Sequence, residues 1–598
     1  MSLAGGLEQA GQTVDSAVGG RGCRGHIGDS LIKVAFWGIC DIKYDPRQPV
    51  GQRVKLLELG DGRSSRFSHH GRPIKDKFDR EYCMEKSPPP IKRSVMVENK
   101  KFTHDMFLRE GFLHLRPLTA SYPRRYHPEL AVRILQDLEL GNDDALVLKL
   151  CNRSRGAGIV VVPGRPEELD GALWRLLNPP CKEAVPDWLT THVPWALNQH
   201  PADVLEEQCL HWWSNECPVF IVERLCKSVP VAKHEDSDQR FDGTMRVAFA
   251  LHRKPTTGTY SHMYMYSDGP HGQIKPFEID WLGGYWKLPK TETSETAQGC
   301  SLEQLHERVV SSFNSVDKRT AEVPQEQLEE VYEALTPALP VIFHTGAFGV
   351  PMIMGIYKKD DPLFCAFALA RVAATMRQSD KAKAMGLFEV AEKMVHPWTS
   401  GSAEDLPERS LLSYIRRNMG VCNCIHNNLE GARTRFGEAR DAHPMNSTAH
   451  YLLGYCQQED RALSLAIRDF LCSIALDPDF KAPYLALGSC FLLKKDWEAA
   501  INASAACLRR NPDAPEAQFI IGQAIYHILA SRGGSLGEEA EDLRRKAVAA
   551  LEIAKERMPK HWQEVDNRMV DYLLADEAAR KEHKPVPIHT WNIPAWRP

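Results

Sequence analysis

Several stretches in the first half of this 598-residue chain carry residue types that could do chemistry. In the first, Leu146-Val-Leu-Lys149 runs into Ser154-Arg155-Gly156-Ala157-Gly158 and then into the apolar Ile159-Val-Val-Val162. A strand ending in lysine, a small glycine loop and a second strand make a β-hairpin suited to phosphate. Glycines let the backbone approach, N–H groups donate to phosphate oxygens, and Lys149 and Arg155 bring positive charge. The bland alternative is an ordinary glycine hairpin with a solvated lysine at its edge. No Gly-Lys-Ser/Thr opening a helix follows, so this is not a Walker loop, and the G-x-G-x-x-G fingerprint between a strand and a helix is also missing.

Three further stretches follow in order. Pro218-Val-Phe-Ile-Val-Glu223-Arg224-Leu225 is an apolar strand ending in an acid. Asp242-Gly243-Thr-Met-Arg246 opens a second strand that carries an inward-placed arginine. Lys275-Pro-Phe-Glu278-Ile-Asp280-Trp281 sets two carboxylates at i and i+2, which in a strand share one face. Paired carboxylates on one face suit Mg²⁺, which takes a few carboxylates, waters and nucleotide phosphates; a solvated strand face is the alternative. The cluster Cys209-Leu-His-Trp-Trp213 has no spacing that demands catalysis and reads as a packed insertion. Cys422, Cys424 and His426 fall within one helical stretch, where packing explains them better than metal ligation.

The elements that must position these residues are short apolar runs ending in glycine between 31 and 60, and a helix over Asn99–Leu108. The ordered series from about 99 to 289 resembles the ATP-grasp fold, with 30–95 as the lobe that precedes it. Its Ser-Arg-Gly-x-Gly-Ile hairpin is similar to that of tubulin tyrosine ligase-like and other peptide-modifying members.

The resemblance implies Lys100 or Lys101 as the first nucleotide lysine, Lys149 on the α/β-phosphates, and Ser154 to Gly158 as the lid. It further implies the backbone of Glu223, Arg224 and Leu225 for adenine, and Arg246 for the γ-phosphate or an acyl phosphate. Glu278 and Asp280 would hold Mg²⁺, with Asp268 as a further metal carboxylate; Tyr285, Lys287 and Lys290 lie where members bind the second substrate. Three departures stand out. Asp280 replaces the usual Asn, Val229-Pro-Val231 stands where a ribose-binding Glu is common (Glu235 is a weak substitute), and Asp268 sits in a Gly/Pro turn.

The second half is periodic. Glycines fall at 420, 454, 488 and 522, alanines at 432, 466 and 500, and prolines at 444, 478 and 512, with one constant interval in all three series. Glycine in mid-helix lets a partner helix approach, alanine is the matching small contact, and proline closes the unit. This resembles the tetratricopeptide repeat, in which helix pairs stack into a solenoid that binds a peptide or partner protein in its groove. A fourth unit starts at Gly522 and is interrupted by the insert Ser531–Glu541; an earlier helix pair covers Phe364–Arg377 and Lys381–Val395.

Composition sets the frame: 43% apolar, 25% charged and a net charge of −4 describe an ordinary globular chain, and argue against a whole-protein nucleic-acid binder. Sixteen cysteines without a CxxC pair read as reduced thiols of a cytoplasmic protein. The uncharged run 334–357 is broken by prolines and glycines, so it reads as a connector and not a membrane span. The expected fold class is an α/β (α+β) ATP-grasp N-terminal half followed by an all-α tetratricopeptide-like solenoid. The expected segments are a leader (1–28), an α/β lobe (29–95), the nucleotide domain (96–298), a connector (299–357), repeats (358–575) and an extended tail (576–598). The implied activity is ATP- and Mg²⁺-dependent carboxylate–amine ligation through an acyl phosphate, with a protein or peptide participant. The rivals are an ATP-grasp phosphotransferase and a repeat scaffold with a vestigial lobe.

Overall fold

A computed structural model describes residues 96, 99–153, 157–180, 185–198, 204–226, 229–233, 237–253, 277–289, 291–292, 302–309, 320–339, 350–396, 405–511, 514–531 and 538–557, with short strands between 22 and 82. The chain divides into two compact units, one made of residues 14–179 and 202–411, the other of 1–13, 180–201 and 412–598.

In the first unit the strands are β1 (Gly22–Ile27), β2 (Ser30–Ala35), β3 (Ile42–Tyr44), β4 (Val54–Leu56), β5 (Ile74–Lys75), β6 (Glu81–Tyr82), β7 (Thr119–Pro123), β8 (Ala145–Leu150) and β9 (Ile159–Pro163). They continue with β10 (Val219–Arg224), β11 (Pro230–Ala232), β12 (Arg240–Asp242), β13 (Thr244–Arg253), β14 (Phe277–Lys287) and β15 (Thr320–Ala321). A four-stranded sheet has the order β7-β10-β8-β9, and a five-stranded sheet the order β1-β2-β13-β14-β15. The helices of this part of the chain are α1 (Lys100–Arg109), α2 (Leu130–Asp137), α3 (Pro166–Leu177), α4 (Val185–Asn198), α5 (Val204–Trp213), α6 (Leu302–Val309), α7 (Gln325–Leu335), α8 (Val350–Tyr357), α9 (Pro362–Met376) and α10 (Lys381–Val395). Of these, α4 belongs to the second unit.

The four-stranded sheet is apolar on both faces, which is why its strands read as nearly unbroken hydrophobic runs. Leu146, Leu148 and Leu150 of β8 and Phe220 and Val222 of β10 join Ile134 of α2, Leu173 of α3 and Trp212 of α5 in one core. The alternate residues point the other way, where Val147 and Val161 meet Leu305 of α6. Lys149 and Glu223 have the parity of Val147, so the strand period delivers both to this second face.

The second unit is a stack of helix pairs resembling tetratricopeptide repeats. α11 (Leu406–Ile425) leads into α12 (Leu429–Ala442), followed by α13 (Ser447–Glu459), α14 (Leu463–Leu476), α15 (Lys481–Lys494), α16 (Trp497–Arg510), α17 (Pro515–Ser531) and α18 (Glu538–Arg557). Asn428, Asn446 and Asp496 cap α12, α13 and α16, each side chain accepting from a backbone N–H in the first turn.

The periodic glycines are explained by what a Cβ would meet. It would lie 2.5 Å from the Phe436 ring at Gly420, 2.9 Å from Phe470 at Gly454, 3.0 Å from Ser504 at Gly488 and 2.4 Å from Leu551 at Gly522. Phe436, Phe470 and Ser504 stand at one fixed offset from their glycines, and Leu551 stands farther from its own. Across the expected interruption the fourth unit still has its second helix, with 532–537 outside the described residues. Its second helix resumes at Glu538, inside the stretch read as an insert, and pairs with α17. α4 packs on α14 and α16, although α3 and α5 on either side of it in sequence belong to the other unit.

Of the run 334–357, α7 covers the start and α8 the end, and 340–349 lies outside the described residues. No helix among the described residues is long and apolar enough to cross a membrane. The expected leader falls outside the described residues except for β1, and the expected tail lies wholly outside them.

Candidate functional site

Two of the lysines expected to meet a nucleotide, Lys149 and Lys100, lie around one carboxylate, and Arg116, which sequence reasoning missed, is the third cation there. Register pairs Ile221 with Lys149 and Glu223 with Val147, so Lys149 and Glu223 are diagonal neighbours across β8 and β10. Lys149 Nζ donates to Glu223 Oε2, and Arg116 Nη2 donates to Glu223 Oε1 at 2.8 Å. Glu223 is buried; desolvation alone would raise its carboxyl, but Lys149, then Arg116 and Lys100, hold it below its ordinary value.

Lys100 follows Asn99, whose side chain caps α1 by accepting from Phe102 N at 3.1 Å. That cap directs Lys100 back over the hairpin, where Nζ donates to the carbonyls of Leu150 (2.9 Å) and Arg153. Burial, with the nearby Lys149 charge, lowers its ammonium to about 8. Lys101 turns the other way. It pairs with Asp105 at 3.0 Å and Asp361 at 3.7 Å, and its Nζ lies 5.6 Å from the Tyr357 ring centre and 5.2 Å from that of Phe364. Tyr357 Oη donates to Asp105 at 2.8 Å. Of the two adjacent lysines, Lys100 serves the hairpin, and Lys101 ties α1 to α8 and α9.

The hairpin glycine has a packing reason. Gly158 has φ +70°, and a Cβ there would sit 2.3 Å from Leu150 Cδ1. Its N–H, expected to be free for phosphate, donates to Gln208 Oε1 at 2.7 Å. Ala157 is half-buried beside it, while Ser154, Arg155 and Gly156 lie outside the described residues. The backbone expected to hold adenine is also engaged in the sheet: Arg224 N donates to Leu118 O and Leu225 N to Ala145 O, both at 2.9 Å.

A bulge organises the other expected residues. On β13 and β14 the pairs are Thr244 with Lys287, Arg246 with Tyr285, Ala248 with Gly283, Ala250 with Asp280 and His252 with Glu278, with a register shift between Ala248 and Phe249. Leu282 is the extra residue. Without it, the even-numbered Glu278 and Asp280 would fall on the face opposite the odd-numbered Tyr285 and Lys287; with it, these four positions and Arg246 occupy one face. Sequence reasoning missed the bulge, whose one sign is the Gly283-Gly284 pair that follows. A Cβ at Gly284 would lie 2.7 Å from Leu328 and 2.8 Å from the Arg246 carbonyl. Arg246, read as inward-placed, is exposed. Positions 278 and 280 share a face by register, and their carboxylates are the hard donor type that Mg²⁺ takes. Asp268, Glu235 and Lys290 lie outside the described residues. Cys422 and Cys424 are buried in α11.

No family model matches the chain, and no curated protein matches it. Among solved structures it is similar to YrrB, a TPR protein with an unusual peptide-binding site, at 16% identity over 37% of this chain and 97% of that one, with a TM-score of 0.26. It is also similar to MamA, at 17% identity over 37% of this chain and 98% of that one, with a TM-score of 0.23. These likenesses are slight; the repeat description rests on the helix pairs and the glycine contacts above.

Proposed function

We propose that this chain is a repeat-based protein-binding molecule whose N-terminal lobe is of the ATP-grasp type and binds Mg-ATP. The observation that carries the nucleotide reading is a surplus of positive charge on one sheet face. Lys100, Lys149 and Arg116 surround the carboxylate of Glu223, three cations against one anion, at the base of a glycine hairpin. A polyphosphate is the ligand that balances such a surplus. Glu223 holds the cations in place until it arrives.

The chemistry that fits is carboxylate–amine ligation. A substrate carboxylate attacks the γ-phosphate, ADP leaves, and an amine displaces phosphate from the acyl phosphate to form an amide. Lys149 and Arg155 would steady the phosphates and Arg246 the transferred group, by positioning and charge. Mg²⁺, held by Glu278 and Asp280, would supply charge neutralisation at the phosphates. Phosphotransfer without the amine step is the second reading, since it needs the same cations and Mg²⁺ at the phosphates and no amine. A scaffold with a nucleotide lobe that no longer turns over is the third.

Protein binding is supported by the solenoid itself, which has an extended surface. α13 is buried around its whole circumference from Ala449 to Gln458. The groove remains the expected seat of a partner, and Leu429 (44% exposed) and Leu465 (47%), at the starts of α12 and α14, add apolar contact outside it.

The test is ADP release from Mg-ATP by the full chain, with and without cell extract, beside Lys149→Ala and Glu278→Ala. Turnover stimulated by extract and lost in both variants is expected. A further requirement for an amine selects ligation over phosphotransfer, and no turnover in the wild type rejects both.

A further inference from the structure

The Cys209-Leu-His-Trp-Trp213 segment has no part in the proposed chemistry, yet the helix that carries it touches the nucleotide hairpin directly. α5 is wedged in place by its apolar side. Trp212 is fully buried and meets Phe220 edge-on at 5.2 Å, and Trp213 Nε1 donates to Arg175 O of α3 at 3.0 Å. Its C-terminal end is held by Arg124, a fully buried guanidinium that donates to the carbonyls of Trp212, Asn215 and Cys217. A cation at this end also complements the helix dipole.

From this fixed platform three polar contacts reach the base of the hairpin. Gln208 Oε1 accepts from Gly158 N at 2.7 Å, Asn215 Nδ2 donates to Asn152 Oδ1 at 2.8 Å, and Arg153 Nη1 pairs with Glu216 Oε2 at 3.1 Å. Gln208, Asn215 and Glu216 are all buried. Both arms are held, the first at Asn152 and Arg153 and the second at Gly158, on either side of the loop tip. Buried, geometrically satisfied contacts of this kind fix a single arrangement of the two arms, and groups already held lose less freedom when a ligand binds.

We propose that Gln208 and Glu216 are positioning residues for the nucleotide hairpin: they clamp its two arms so that Lys149 is presented to the phosphates in one register. The proposal rests on the Mg-ATP reading above. Gln208 is the more diagnostic of the two, because its acceptor oxygen occupies the Gly158 N–H that would otherwise be free for phosphate.

The test pairs amide hydrogen exchange of residues 150–160 with the Kd for Mg-ATP, both on the full chain. Gln208→Leu removes the acceptor, Gln208→Asn withdraws it by one methylene, and Gln208→Glu keeps it. In Gln208→Leu and Gln208→Asn, exchange at Gly158 is expected to rise, and Kd to rise about tenfold. Gln208→Glu, which keeps the acceptor, restores slow exchange at Gly158, a rescue that loss of general packing would not give. If Gln208→Leu prevents folding, Gln208→Asn decides. Wild-type binding that is undiminished in the acceptor-free variants overturns the positioning role and leaves the nucleotide reading standing. Absence of Mg-ATP binding by the wild type overturns the nucleotide reading and this role with it.

Discussion

The helical repeats and the four-stranded sheet both depend on glycines pressed against a neighbour, but the neighbours are found in different ways. Gly454 faces Phe470 of the same helix pair, as Gly420 faces Phe436 in the pair before it. Gly158 faces Leu150 across a hairpin, with a positive φ and an N–H held by Gln208 from a separate helix. Contacts repeated at short range leave a period in the sequence. A contact set made once, across several elements, leaves only the residue type. The same glycine that reads as phosphate-facing can therefore be a packing and clamp position.

Substitutions can sharpen this contrast. The largest effect should follow loss of Arg124, because three buried carbonyls lose their donor. Arg124→Met is expected to cost on the order of 3 kcal/mol, read as a lower denaturation midpoint of the unit carrying the sheets. A cost below about 1 kcal/mol would show that water replaces the guanidinium. In the repeats, Gly420→Ala drives a methyl against Phe436 and should destabilise by about 1–3 kcal/mol. Gly437, in α12 with nothing within 4 Å of a built Cβ, is the control: Gly437→Ala should stabilise by about 0.5–1 kcal/mol. Equal shifts at the two positions would break the packing account of the period.

The smallest effect concerns pH. Asp469 is buried in α14, and burial alone would raise its carboxyl. His450 Nδ1 at 2.8 Å and Gln457 Nε2 at 2.9 Å instead hold it below the ordinary value. A carboxyl depressed in the folded state contributes stability above its unfolded pKa, and that contribution is lost as pH falls through the folded one. Wild type should therefore lose more repeat stability than Asp469→Asn on acidification below about pH 4. Parallel acid profiles for the two proteins would contradict this.

Much of the architecture was legible. The first helix, the strands carrying Lys149, Glu223, Arg246 and Glu278, and three of the repeat units follow from local periodicity and caps. The fourth unit was harder to read because α17 and α18 are farther apart in sequence, which puts Leu551 out of phase with Phe436, Phe470 and Ser504. Within the site, period-2 alternation brings Lys149 to Glu223. Sequence could not choose between Lys100 and Lys101, since only the Asn99 cap and the distant Asp361 and Tyr357 decide which way each points. Nor could it reveal the bulge at Leu282, because one extra residue reverses the face of everything beyond it without altering composition.

The central claim is that the cations around Glu223 receive a polyphosphate. The most direct measurement is calorimetric titration of the full chain with Mg-ATP at pH 8, in two buffers of different ionisation enthalpy, for wild type and Lys149→Ala. Lys100, held at about 8 by burial, must rise towards its ordinary value when an anion arrives. Saturable wild-type binding with net proton uptake is expected, and affinity should fall roughly 10–100-fold in Lys149→Ala. No binding, or binding of equal strength in the two proteins, would contradict the account.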